Sequence, residues 1–318
     1  MDRQDRFRGV VLGAAIGDAM GHPTEFQSMA QIRAEHGPQG VEGFALYWDR
    51  DGERFAPYTD DTQMAEAVIR GLLETGVADL DAAMNAIGAR FVRWSREPQG
   101  GHRAPGNACL AGCRALAEGA PWSQAGGPRA GGCGSVMRAY PFGLFFAHDV
   151  DAAERWAVAH SALTHRDPIA LAACAAMAVG VVCGLDDVPV QETLERMVAA
   201  AHRHDAVTAD MVRQAAQEAL DGADSEAVFD RLRGWAAHEA IAGAVFTLGR
   251  HPDDPRQAIL LAANTPGDSD SLATLAGALV GARVGCGPLP DPWIRDIERS
   301  STLTDLADQV AKRVSADA

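Results

Sequence analysis

Apolar residues recur at the three- and four-residue spacing of a helix along nearly the whole chain, as in Met64, Ala65, Val68, Ile69, Leu72 and Leu73. The alternating apolar and polar runs that build half-buried strands are almost missing. This pattern predicts an all-α fold. Ala-rich segments parted by Pro, Gly and Asp place helices near 5–20, 61–75, 79–96, 106–118, 151–160, 168–184, 190–203, 207–220, 235–248, 254–263, 271–284 and 291–315. No Ser/Gly or Pro linker separates them and no fixed-period repeat is present. Residues 1–318 are therefore expected to form one compact helical domain, an orthogonal bundle with a deep core. Two stretches dense in glycine and proline, 97–106 and 119–134, interrupt the pattern, and such loops in a helical body commonly carry function.

The first helix carries Gly9, Gly13, Gly17 and Gly21, four apart, which leaves a strip without side chains along one face. Each glycine costs roughly 0.5–1 kcal/mol against alanine in a helix interior, so something must approach that strip closely. Tight packing against another helix is favoured over direct contact with a ligand.

Charge and composition remove several classes of function. With 28 basic and 43 acidic residues the net charge is −15, which argues against general nucleic-acid binding through many phosphate contacts. A small metabolite or a basic protein fits better. Lys312 is the sole lysine, so a lysine Schiff base, a phosphate-loop lysine and a kinase-type lysine have no candidate. The charged start, Met1-Asp-Arg-Gln-Asp-Arg-Phe-Arg, does not read as a secretory signal. The longest uncharged run, Ile169 to Leu185, reads as a buried helix rather than a membrane span. Six cysteines without a C-x-x-C pair fit reduced thiols, and a cytoplasmic, monomeric protein without membrane attachment is expected.

Two segments concentrate oxygen atoms at helix starts. Tyr58-Thr59-Asp60-Asp61-Thr62 precedes the helix near Met64, and Gly267-Asp268-Ser269-Asp270-Ser271 precedes Leu272, Leu275 and Leu279. Capping needs one side-chain oxygen. Each segment supplies two carboxylates and two further hydroxyls. If the two starts face each other, each carboxylate pair at 4 Å costs about 4 kcal/mol at an effective dielectric near 20. A helix dipole returns only about 0.3–1 kcal/mol. The acids must then protonate or share divalent cations, and an all-oxygen set selects hard ions such as Mg²⁺, Mn²⁺ or Ca²⁺. Two separate, solvated, capped helix ends are the alternative.

Taken in order, Gly13-Ala-Ala-Ile-Gly17-Asp18-Ala-Met-Gly21 with Glu25, then Tyr58 to Thr62, Gly132-Cys-Gly134-Ser135-Val-Met137-Arg138, Thr164-His165, and Gly267 to Ser271 resemble the motifs of the ADP-ribosylglycohydrolase family. The resemblance runs from about residue 7 to residue 285. It implies an all-α fold around two Mg²⁺ (or Mn²⁺) ions that cleaves the glycosidic bond between ADP-ribose and an acceptor, ADP-ribosylated arginine on a protein being the first expectation. A serine-linked or small-metabolite conjugate, or a non-catalytic ADP-ribose-binding or crystallin-like role, are the alternatives. Carried over by position, Thr59, Asp60 and Asp61 match one ligand group and Asp268, Asp270 and Ser271 the other. Glu25, Asp61 and Asp268 are the candidate catalytic acids. Gly132, Gly134, Ser135 and Met137 match the loop along the diphosphate and ribose, and His165 a histidine lining the ADP-ribose cleft. Such chemistry is coherent, because glycoside cleavage needs a positioned water and dications can acidify one. Cys133 stands where the family often has Asn, and Ser271 where Thr is commoner.

Outside those motifs, Asp18 reads as a support for a ligand through a hydrogen bond, against the alternative of a solvent-facing acid. The stretch 26–57, with Tyr47, Trp48, Arg50, Asp51 and Arg54, is where acceptor specificity is expected to reside. Cys109 and Cys113 read as packed thiols, and His202 and His204 as solvated. His148-Asp149 and His204-Asp205 could suggest a helical phosphohydrolase, but they fall at helix ends rather than on paired helix faces. An isoprenoid-synthase-like site fails because Met64 occupies the place of its third aspartate.

Overall fold

The computed structural model describes residues 2–317. Its helices are α1 (Arg3–Gly21), α2 (Met29–His36), α3 (Asp60–Thr75), α4 (Leu80–Arg96), α5 (Asn107–Ala117), α6 (Trp122–Ala125), α7 (Tyr140–Phe145), α8 (Val150–Ser161), α9 (Pro168–Leu185), α10 (Val190–His202), α11 (Ala206–Leu220), α12 (Ser225–Arg231), α13 (Ala237–Arg250), α14 (Pro255–Ala263), α15 (Ser269–Val284), α16 (Asp291–Asp296) and α17 (Ser300–Asp317). The fold is all-α. Among the described residues the sheet is confined to one hairpin, β1 (Trp48–Arg50) with β2 (Glu53–Phe55), in which Trp48 pairs with Phe55. Its two-residue turn has Asp51 at φ 54° and Gly52 at φ 84°, the backbone that Asp-Gly turns favour.

The glycine strip finds a helix. Along α1, Gly9, Gly13, Gly17 and Gly21 lie directly on the backbone of α15 at Gly281, Gly277, Ala273 and Ser269–Asp270, in antiparallel order. A Cβ at Gly21 would sit 2.5 Å from the Asp270 Cα, so a side chain there cannot be accommodated without separating the helices. Gly277 and Gly281 answer from the other side against Gly13 and Gly9. This contact brings the end of α1 to the start of α15.

The apolar α9 has a mean hydropathy of 2.2 over 18 residues, and 83% of that span is buried inside the protein. It packs against α7, α8, α10, α13 and α15. Most other helices fall where periodicity places them, with two kinds of departure. The short helices α2, α6, α7 and α12 and the hairpin are additional to the pattern. The expected helix 291–315 is two helices, broken at Ile297–Arg299, where Arg299 takes φ 54°. The break has a cause. Ala56 donates to Asp296 O at 2.7 Å and Glu298 N donates to Ala56 O at 2.9 Å, so this backbone pairs with the hairpin's exit instead of continuing a helix.

Candidate active site

The site starts with Asp18. Wholly buried on α1, its carboxylate accepts from Thr59 N at 2.8 Å, Thr62 N at 3.0 Å and Thr62 Oγ1 at 2.6 Å. An acid from one helix thus caps another and satisfies amides that α3 cannot bond internally. Thr59 is the N-cap of α3 and accepts from Asp61 N at 3.3 Å, which puts Asp60 and Asp61 in the first turn.

The second turn is built in the same region from α15. Gly267 adopts φ 106°, a conformation that glycine takes without steric cost. Asp268 N then donates to Arg233 O at 2.8 Å, and Ser269 Oγ donates to Gly21 O at 3.0 Å. The two acidic turns meet: Ser271 Oγ donates to Asp61 Oδ2 at 2.9 Å. Glu25, Asp268 and Asp270 each direct one carboxylate oxygen to within 4.8 Å of the others. The loop bearing Glu25 is fastened to this turn, because Phe26 N donates to Gly267 O at 2.9 Å.

Burial, and then the charge of Asp270, pushes Asp60, Asp61 and Asp268 well above the usual carboxylate range. The same two causes carry Glu25 up to about 9 and Asp18 to about 7, the latter against the pull of its hydrogen bonds from Thr62 and Thr59. No arginine ion-pairs with any of these acids among the described residues. Arg138 acts on Asp60 only from a distance, and buried carboxylates that repel one another without an ion-paired cation require protons or metal ions. Their oxygen-only donor set fits a hard dication.

All of these acids but Asp18 line a cavity of about 340 Å³. Its lining includes Glu25, Asp60, Asp61, Asp268, Asp270 and Ser271, the glycine segment with Gly132, Cys133, Gly134 and Met137, His165, and Ala104 with Gly106–Cys109. Thr59 lies beneath the acids as a cap and is absent from the lining. Ser135 is also off the wall, its Oγ accepting from Ser161 Oγ at 2.9 Å in a buried network with Cys174. Cys133 lies beside Ser271, and burial, followed by Asp268 and Asp61, pushes its thiol well up, so the sulfur stays protonated. His165 is held down to about 3, first by burial and then by the charge of Arg138. It is a neutral imidazole.

Two residues of the cavity rim were not singled out by the sequence. Phe26 and Trp235 are 68% and 41% exposed, unusual for large aromatics, and they stack on each other with centroids 4.9 Å apart at 24°. Phe26 also takes φ 64°, a rare backbone for a bulky residue. Lone aromatics beside polar loops carry no periodic signal, and Phe26 was covered only as the first residue of the 26–57 stretch, next to Glu25. Conversely, Tyr47, Trp48, Arg50, Asp51 and Arg54 do not line the cavity. Arg54 lies over Tyr47 at 4.6 Å, and Arg50 pairs with Glu298 at 3.1 Å. The hairpin's Trp48 stacks under Arg103, which is ion-paired with Glu298 at 2.6 Å. The remaining histidine pairs are engaged elsewhere, His204 with Glu154 at 2.9 Å and Asp205 and Asp149 as helix caps.

A family model described as ADP-ribosylglycohydrolase matches residues 1–318. The chain is 31% identical over 317 residues to the ADP-ribosylarginine hydrolase Tri1 of Pseudomonas putida, covering 97% of this chain and 78% of that protein. It is 27% identical over 303 residues to the ADP-ribosyl-[dinitrogen reductase] glycohydrolase of Rhodospirillum rubrum, with coverage of 92% and 90%. Among solved structures, an ADP-ribosylglycohydrolase-related protein complex superposes with a TM-score of 0.73 at 26% identity, covering 98% of this chain and 99% of that one.

Proposed function

Because the chain belongs to the ADP-ribosylglycohydrolase family, we propose that it is a metal-dependent hydrolase that releases ADP-ribose from an arginine side chain. The single observation that carries the metal reading is the meeting of the two acidic turns around uncompensated buried carboxylates. Asp60, Asp61, Asp268, Asp270 and Ser271 are suited to hold Mg²⁺ or Mn²⁺, with Thr59 supporting the turn, and two ions would balance several carboxylates. Bound there, the ions would supply Lewis acidity and positive charge in direct contact with the acids, which no arginine ion pair provides among the described residues.

The chain's own residues do the rest. Glu25 reaches the cavity with a carboxyl that burial raises to about 9, so it can hold a proton near neutrality and exchange it when cations lower that value. Gly132 and Gly134 offer a wall free of side chains along which a diphosphate can approach the backbone. Trp235 and Phe26 present flat apolar faces at the rim, suited to a nucleobase. Arginine as acceptor is supported by the relative from Pseudomonas putida, whose name specifies ADP-ribosylarginine, and a protein-borne conjugate by the one from Rhodospirillum rubrum.

The test is release of free ADP-ribose from arginine-linked and serine-linked substrates with Mg²⁺ or Mn²⁺ and after chelation. Release from the arginine conjugate that stops on chelation is expected. Activity surviving complete metal removal overturns the metal role, and faster release from the serine conjugate overturns the acceptor. Tight ADP-ribose binding without turnover of either would instead describe a binding protein.

A further inference from the structure

His165 presents one ring nitrogen to the cavity and hides the other. A Cβ at Gly134 would lie 3.3 Å from Nε2 and one at Gly132 3.8 Å from it, so this edge faces the glycine wall. Nδ1 is 2.7 Å from Thr164 Oγ1. That contact alone leaves the position of the ring hydrogen open.

Arg138 decides it. Its side chain is wholly buried and forms no ion pair among the described residues. NH1 donates to Gly134 O, pinning the glycine loop, and NH2 is 2.6 Å from the same Thr164 Oγ1. A guanidinium carries donors only. Thr164 Oγ1 therefore accepts from Arg138, and its one hydrogen has Nδ1 as the acceptor in reach. Were Nδ1 protonated instead, Thr164, itself fully buried, would receive two donors and its own hydrogen would have no acceptor among the described residues. Buried donors are rarely left in that state.

We propose that Arg138 and Thr164 act as a positioning relay that locks His165 in its Nε2–H tautomer, so that the cavity holds a fixed hydrogen-bond donor for a phosphoryl or hydroxyl oxygen of the ligand. The ligand class rests on the ADP-ribosyl reading above; the tautomer does not. Substrate oxygen then meets a donor whose orientation is set before binding, which removes a reorganisation step.

The deciding measurement is a long-range ¹H–¹⁵N correlation spectrum of the ligand-free full chain labelled at its ten histidines, with His165 assigned by its loss in His165→Gln. A pyrrole-type Nε2 and a pyridine-type Nδ1 are expected. Thr164→Ser keeps the hydroxyl and retains this signature, whereas Thr164→Val removes it and yields a tautomer mixture or the opposite form. With an ADP-ribosyl substrate, Thr164→Val raises KM about ten-fold, the scale of one lost hydrogen bond, and by more than it lowers kcat; Thr164→Ser restores it. A protonated Nδ1 in the parent overturns the relay, as does a parent-like spectrum in Thr164→Val. Should Thr164→Val not fold, the parent and Thr164→Ser spectra decide the matter. Failure of every ADP-ribosyl substrate would sink the hydrolase reading while leaving the spectrum to judge the relay.

Discussion

Ser271 donates its hydroxyl hydrogen to Asp61 at 2.9 Å, joining two helix starts that are 210 residues apart in sequence. That bond shows that the acids of both turns share one space, and their mutual repulsion follows from it. Asp268 adds to that repulsion without any capping hydrogen bond from its side chain to α15 in return.

Asp268→Asn should therefore stabilise the metal-free protein, by on the order of 1–2 kcal/mol near neutral pH, since folding no longer has to bury or protonate a carboxylate whose folded value is raised, and no cap is lost. The same change should shrink the gain in melting temperature that saturating Mg²⁺ gives the parent, and should lower turnover. Asp60→Asn should lower metal affinity and rate in the same way. Melting curves with and without Mg²⁺ check both signs. A variant that is less stable than the parent without metal, yet gains as much with it, contradicts the assignment.

Gly17→Ala should destabilise the fold by about 1–3 kcal/mol or more, because its Cβ would strike the Ala273 backbone rather than a movable side chain. Gly287→Ala, whose nearest neighbour is Asp5 Oδ2 at 4.0 Å, should change stability by less than about 0.5 kcal/mol. Chemical denaturation of the pair makes the comparison; equal losses would mean that the α1–α15 contact is loose.

Trp235→Ala should weaken ADP-ribose binding by about 1–3 kcal/mol, the range for a base stacked on an aromatic side chain. Trp235→Phe should recover most of it. Calorimetric titration with ADP-ribose and with ribose 5-phosphate separates a base platform from a general rim effect: the loss should appear for the first ligand alone.

Glu154 supplies a pH dependence away from the site. Burial pushes its carboxyl up, but hydrogen bonds from Arg203 and His204 outweigh this and hold it down to about 2. A depressed folded-state value means that the stabilisation is complete above the ordinary carboxylate range near 4.3 and is lost as pH falls from there toward 2. Glu154→Gln should cost on the order of 2 kcal/mol at pH 7, and the difference from the parent should close as pH approaches 2. A gap that persists unchanged at low pH would place the effect in packing instead.

The amphipathic helices were legible because they bury a stripe, so that Met64, Val68, Ile69 and Leu72 announce α3. Residues 291–315 misled because both flanking segments are good helix formers, and the interruption comes from pairing of Asp296 and Glu298 with Ala56, a contact invisible locally. The hairpin at Trp48–Phe55 carried its signal in Asp51-Gly52, but three-residue strands are too short to show alternation. Within the candidate site, the acidic turns were visible as excess oxygen at helix starts. Asp18 was readable as a support for a ligand through a hydrogen bond, but its double grip on Thr59 and Thr62 depends on how α1 lies against α3. Phe26 and Trp235 draw their importance from neighbours distant in the chain, and Arg138, visible as the end of the glycine motif, takes its role from Thr164.

The bare seam between α1 and α15 works as a ruler. With main chain resting on main chain, the offset between the Glu25 end of one helix and the Asp270 end of the other does not depend on which side chains surround them. Loops at the edge of the cavity, such as the one bearing Ala104 and Gly106, can therefore diverge without altering the spacing between Glu25 and the turn of Asp268 and Asp270.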